Sequence, residues 1–277
     1  MAYSLSWGSN HPGFLVYLID LSGSMATNSR IEYVSETVTK VSEYLVGMCE
    51  NGELQNRFDI RIIGYNSDVI DLFSGSVIDL DNKLEEAFNK NVSLFDTFDG
   101  KAEPNWQTYT AKGFRAAADQ VLTWINQQQS INIPIPAPVV IHLTDGHPEE
   151  SGRSEAEATA DALKAANEIK SISVPDGNVL LFNIHIDEVE GNSLRLPSQR
   201  PTGSDVKSSR LQFLFDASSI MTDVFVNRAN AFKLDAEQGS RFMVSNESDK
   251  DLLARLIAFG SSVTSVGGSF VEMPKYQ

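Results

Sequence analysis

Residues 14 to 25 read Phe-Leu-Val-Tyr-Leu-Ile-Asp-Leu-Ser-Gly-Ser-Met, and this stretch decides the fold class. Six apolar residues run unbroken into Asp20, and two hydroxyls follow at alternate positions, Ser22 and Ser24. So short an apolar run suits a strand buried on both faces, as in a parallel sheet. It delivers the chain to the carboxyl edge of the sheet, where open α/β folds place ligands. One carboxylate and two hydroxyls there are three hard oxygen donors without a nucleophile–base pair. That is the outline of a divalent-cation site.

Downstream, Ser29-Arg30-Ile31-Glu32 has capping-box spacing and predicts a helix start. Ile31, Val34, Val38, Val41, Leu45 and Met48 then recur at steps of three and four, an amphipathic helix ended by Asn51-Gly52. Residues 57–65 and Val69 to Phe73 predict an antiparallel hairpin at the sheet edge, joined by the turn Asn66-Ser67-Asp68. Asn82 to Asn89 reads as a short helix and Asp96 to Trp106 as loop. Helical spacing returns at Phe114, Ala118, Val121 and Ile125. A second apolar strand, Val139 to Leu143, runs into Thr144-Asp145-Gly146. Ser154-Glu155-Ala156-Glu157 is another capping box, opening an Ala-rich helix, and a third buried strand, Val179 to Ile186, ends in Asp187. Residues 188–209 read as a polar excursion and Leu211 to Phe232 as one or two helices. A last short strand, Arg241 to Val244, precedes a final helix over 247–264 capped by Asn246. Strands alternating with amphipathic helices predict a doubly wound, mostly parallel sheet with one antiparallel edge strand and helices on both faces.

The chain has 277 residues, 42% hydrophobic and 21% charged, with a formal net charge of −15. That length buries a large core. The acidic balance argues against nucleic acid or an anionic membrane as the main partner, because no Lys/Arg excess exists to displace phosphate counterions. Cys49 is the only cysteine, so neither an internal disulfide nor a Cys-based zinc cage can form. It reads as a buried structural thiol. No secretory signal is visible and no apolar stretch approaches the roughly 18 residues of a membrane span, which makes a cytoplasmic protein the expectation.

Three strand-end features can meet on one sheet edge: Asp20-Leu21-Ser22-Gly23-Ser24, Thr108-Tyr109-Thr110 entering a helix, and Thr144-Asp145-Gly146. In that order the chain resembles a von Willebrand factor type A domain, the fold shared by integrin I domains and many bacterial cytoplasmic proteins. That family writes its metal-ion-dependent adhesion site as Asp-x-Ser-x-Ser, a distant Thr, and a distant Asp in a Thr-Asp-Gly-like turn. The resemblance implies a single domain over 1–277 with its core at about 13–265. The segments 74–107 and 188–240 are longer than a minimal domain of this kind. It also implies that Asp20, Ser22, Ser24, Thr108 and Asp145 hold Mg²⁺, with Mn²⁺ or Ca²⁺ as substitutes, and Thr110 as the alternative to Thr108. The glycine pair that often precedes the Thr is replaced by Asn105-Trp106-Gln107. Gly23 is expected to let the first loop turn tightly. An open metal position would take an Asp or Glu carboxylate of a partner protein. Bacterial members often act beside kinases, phosphatases or ring-shaped ATPases. The family also lends an expected coupling between metal ligation and movement of the C-terminal helix.

The competing expectation is a metal-dependent phosphohydrolase of haloacid-dehalogenase type, which also ends an apolar strand in Asp. It needs a second Asp two residues on as general acid, and position 22 is Ser. No glycine-rich phosphate loop follows the first strand, and no Gly-x-Ser-x-Gly elbow exists. The expectation is therefore not an enzyme. His147 reads as a solvated loop residue, His142 and His185 as hydrogen-bonded core residues. Trp106 and Tyr109 flank Thr108, where exposed aromatics could anchor a partner.

Overall fold

The computed structural model describes residues 3–98, 102–186, 193–231 and 233–245. The decisive stretch forms β1 (Gly13–Asp20), with all eight residues buried. The edge hairpin is β2 (Phe58–Tyr65) and β3 (Val69–Ser76), and the other two apolar runs are β4 (Val139–Thr144) and β5 (Leu180–His185). Two short strands follow, β6 (Leu194–Arg195) and β7 (Met243–Ser245). The sheet order is β6-β7-β5-β4-β1-β2-β3. The five inner strands run parallel, and both edge strands are antiparallel to their neighbours.

Alternate residues of β1 feed two cores. Leu15, Tyr17 and Ile19 pack with α1 (Arg30–Cys49), α2 (Val77–Lys90) and α6 (Asp223–Ala231). Phe14, Val16 and Leu18 pack with α3 (Thr110–Ser130), α4 (Glu155–Ser171) and α5 (Val206–Ala217) on the opposite face. A side chain at Gly113 would strike the Tyr65 ring at 2.8 Å, so glycine lets the first turns of α3 settle onto β2. Buried Cys49 has its thiol pushed up to about 11, mainly by desolvation, which suits a structural role.

A buried polar chain crosses the sheet. The Tyr65 hydroxyl meets His142 Nε2 at 2.7 Å, His142 Nδ1 meets Asn183 Oδ1 at 2.8 Å, and Asn183 Nδ2 donates to Ser218 Oγ at 2.9 Å. Because the Asn183 amide nitrogen donates, its oxygen accepts, which assigns the proton of neutral His142 to Nδ1. Burial pushes His142 down to about 4. His185 is likewise buried, with Nδ1 2.9 Å from Ser245 Oγ.

At the opposite, amino edge of the sheet, Asp176 moors the N-terminal segment. Its Oδ1 accepts from the Ser4 and Leu5 amides at 2.7 and 3.0 Å, while Oδ2 accepts from the Ala137 amide at 3.3 Å. Tyr3 packs its ring on Phe225.

Four expectations are corrected. The capping box at Ser154 forms as read, but the one at Ser29 does not. Ser29 is left-handed at φ 57° and its side chain caps nothing. The second helix spans fourteen residues rather than eight, because Ser76 and Asp79 make a capping box upstream of the periodic part. The excursion after Asp187 contributes β6, so the sheet has two antiparallel edges. Finally, α5 begins at Val206, where Asp205 accepts from the Ser208 amide. The helix expected over 247–264, with its coupling to the metal, lies outside the described residues, as does Asp187.

Candidate metal centre

Asp20 closes β1 and is fully buried. Its Oδ1 accepts from the Ser22 amide at 2.8 Å, and its Oδ2 accepts from the Thr144 hydroxyl at 2.6 Å. Thr144 Oγ1 in turn accepts from the Gly146 amide at 3.1 Å, so one hydroxyl ties the ends of β1 and β4 together. Beyond Asp20 the hydroxyls line up. Ser22 Oγ lies 3.0 Å from Ser24 Oγ, and Ser24 Oγ donates to Asp145 Oδ1 at 2.9 Å. The first bond lies within the first loop and the second joins that loop to the Asp145 turn.

The third segment is laced between these two. Asn105 donates its amide to the Leu21 carbonyl at 2.8 Å, and Gly23 donates to the Trp106 carbonyl at 2.8 Å. On its other side, Thr108 and Glu149 exchange backbone hydrogen bonds at 3.1 and 3.0 Å. Thr108 therefore sits between the Ser22–Ser24 loop and the Asp145–Glu149 loop, and it is buried. Thr110, the alternative, is the first residue of α3, its hydroxyl 3.4 Å from the Thr108 carbonyl. A Cβ on Gly23 would meet the Trp106 backbone at 3.4 Å, an ordinary contact. Gly23 is also absent from the left-handed positions, so the first loop does not draw on glycine's special conformations. The left-handed residue is Trp106 instead, at φ 50°, on the segment where the family often has glycines. Its side chain is 79% exposed at the rim.

Burial foremost, and then the nearby Asp145 charge, push Asp20 up to about 6, against the Thr144 and Ser22 hydrogen bonds that favour its ionised form. Two acidic side chains this close favour a positive charge beside them, and every acceptor at the edge is a hard oxygen. A small divalent cation fits that set on both counts. Among the described residues, no three His, Cys, Asp or Glu side chains gather into a cage.

Two residues at this edge depart from expectation or were not singled out. His147 is not a solvated loop residue, for its side chain is only 13% exposed, with Glu155 Oε1 at 3.4 Å. Burial lowers its pKa. Arg30 donates from Nη1 to Asp145 Oδ2, to the Ser24 carbonyl at 3.0 Å and to Thr27 Oγ1 at 3.3 Å. Its sequence signal was a cation in the first turn of a helix, where the macrodipole disfavours one.

No family profile matches the chain, and no curated protein matches it. Solved structures do. Manganese-loaded TRAP protein of Plasmodium vivax is similar at TM-score 0.52, with 17% identity over 92% of this chain and 75% of that one. The pilus adhesin SpaC of Lactobacillus rhamnosus GG, in its open conformation, is similar at 0.50, with 15% identity over 88% of this chain and 29% of that one. The fold is that of a von Willebrand factor type A domain. The ArnB paralogue VWA2 of Sulfolobus acidocaldarius also matches, at TM-score 0.33 and 18% identity over 64% of this chain and 36% of that one. The chain thus spans a minor part of the adhesin and of the Sulfolobus protein. Among the described residues of this chain, no helix is long and apolar enough to cross a membrane.

Proposed function

We propose that this type A domain is a non-catalytic, Mg²⁺-dependent protein-interaction module of the cytoplasm. It takes an Asp or Glu side chain of a partner protein at the Asp20 edge. The observation that carries the proposal is the hydrogen-bonded line Ser22–Ser24–Asp145 set against buried Asp20. Ser22, Ser24 and Thr108 offer neutral hydroxyls as direct ligands, while Asp20 and Asp145 balance the charge directly or through water. Neutral hydroxyls leave the cation's charge uncancelled, which favours an anionic sixth ligand. The ion, when bound, supplies the electrophilic position that a partner carboxylate fills. Mn²⁺ and Ca²⁺ are the expected substitutes, and the manganese-loaded state of the TRAP neighbour supports a divalent ion at this kind of fold.

Trp106 adds a contact beside the metal edge. A large aromatic that is 79% exposed and held in a left-handed conformation suits an interaction anchor. The partner is read as a protein that supplies the carboxylate and is linked to a kinase, phosphatase or ATPase, with neither nucleic acid nor membrane as a partner. A phosphohydrolase is disfavoured because Ser22, not a carboxylic acid, stands where the general acid would be.

The test is capture of partners from the native cell extract with Mg²⁺, with chelator, and with the Ser22→Ala/Ser24→Ala variant. Capture only in the first arm is expected. Equal capture in chelator overturns the metal bridge, and phosphatase turnover lost in Asp20→Ala overturns the non-catalytic reading.

A further inference from the structure

Arg30 sits where local rules disfavour it. Asn28 and Ser29, neither of them glycine, both take left-handed backbone at φ 53° and 57° immediately before it. Such conformations cost free energy at ordinary residues and persist where the surroundings enforce them. The same turn forfeits the capping box that Ser29 and Glu32 could have made, and it sets a cation at a helix N-terminus. What the turn achieves is placement. The Arg30 side chain is only 15% exposed and the Asp145 side chain 2%, and the guanidinium spans the Asp145 carboxylate and the Ser24 carbonyl.

Resting on the metal-site reading above, we propose that Arg30 is a built-in counter-cation of that site. It neutralises Asp145 in the metal-free protein and competes with the divalent ion for it, so that it sets a weakened, tunable metal affinity. Asp145 Oδ1 already accepts from Ser24, and Oδ2 faces Arg30. An ion drawing on Asp145 must therefore share the carboxylate with a resident positive charge. Release of Arg30 frees the Thr27–Arg30 turn, which couples ion entry to the start of α1. The partner's carboxylate would meet a site whose occupancy follows cellular Mg²⁺ instead of being permanently filled.

The experiment is a Mn²⁺ titration of the full chain, followed by calorimetry and by Mn²⁺ electron paramagnetic resonance, for wild type, Arg30→Gln and Arg30→Lys. A unit charge about 5 Å from a divalent ion near solvent corresponds to roughly a tenfold effect on affinity. Arg30→Gln should therefore bind Mn²⁺ about tenfold tighter, and Arg30→Lys, which keeps the charge, should stay within about threefold of wild type. Arg30→Gln should also melt at lower temperature than wild type in chelator, and regain wild-type stability with Mn²⁺. If Arg30→Gln folds poorly without metal, its affinity is read by stripping the Mn²⁺-refolded protein with a competing chelator. Unchanged or weaker Mn²⁺ binding in Arg30→Gln, with wild type binding normally, overturns the role of Arg30 alone. Absence of binding in both proteins at millimolar Mn²⁺ overturns the metal site beneath it.

Discussion

Asp20 separates the fold from the site, because two substitutions there act differently. Asp20→Ala removes the acceptor for the buried Ser22 amide and for the Thr144 hydroxyl. Each orphaned buried donor costs about 1–3 kcal/mol, so the variant should lose about 2–6 kcal/mol. Asp20→Asn keeps an oxygen for Ser22 and offers an amide to Thr144, whose oxygen can accept it, so about 1 kcal/mol is the expected cost. It also removes one of two neighbouring negative charges, which offsets part of that cost. Metal linkage distinguishes the two effects further. At a free ion concentration 100 times its Kd, a ligand that binds only the native state adds about 2.7 kcal/mol. For a chain of this size that corresponds to a rise of roughly 5 °C in Tm. The assay is thermal and urea unfolding of wild type, Asp20→Asn and Asp20→Ala, each with Mn²⁺ and with chelator. Wild type should show the metal-dependent rise, and Asp20→Asn should fold nearly as well in chelator yet show none. A full metal shift in Asp20→Asn would refute any part for Asp20 in the coordination sphere.

The paired variant Ser22→Ala/Ser24→Ala should cost about 1–2 kcal/mol in chelator, since Ser24 stands exposed at the rim and only Ser22 is buried. Its Mn²⁺ affinity should fall at least tenfold by calorimetry. Trp106→Gly should raise stability slightly by relieving the left-handed tryptophan, and lower affinity for the captured partner at least tenfold in a binding titration. His142 makes the fold acid-sensitive. Its folded value of about 4 lies below the ordinary 6.5, so the unfolded chain takes up the proton first as pH falls. Its contribution is complete above pH 6.5 and is lost between 6.5 and 4, to a total of about 3 kcal/mol. Asp20, raised to about 6, works in the opposite direction over that range. Urea titrations against pH in an Asp20→Asn background should therefore show the acid limb, and His142→Gln should flatten it.

The sheet was legible wherever burial is two-sided. Phe14 to Ile19, Val139 to Leu143 and Val179 to Ile186 are unbroken apolar runs because helices cover both faces, and each lies within a residue or two of its strand in the structure. Leu194–Arg195 escaped notice because a two-residue edge strand carries no periodicity, and its pairing with β7 is a tertiary matter. Helix starts were legible where a side chain caps them, as at Ser154, and misread at Ser29, where tertiary contacts of Arg30 overrode a good local pattern. At the candidate site, the family resemblance implied Asp20, Ser22, Ser24, Thr108 and Asp145; hydrogen bonds link four of them, and Thr108 is held alongside by its backbone pairing with Glu149. Arg30 was not legible as their neighbour, because its partners lie 115 residues away in the case of Asp145.

The mooring at Asp176 has a practical corollary. Residues 3–5 are fastened beside the turn that leads into β5, across the molecule from where β1 and β4 deliver Asp20 and Asp145. A dye, affinity handle or sensor-chip linker attached ahead of Tyr3 would therefore leave the far rim pointing into free solution, the orientation that surface-based partner screens need.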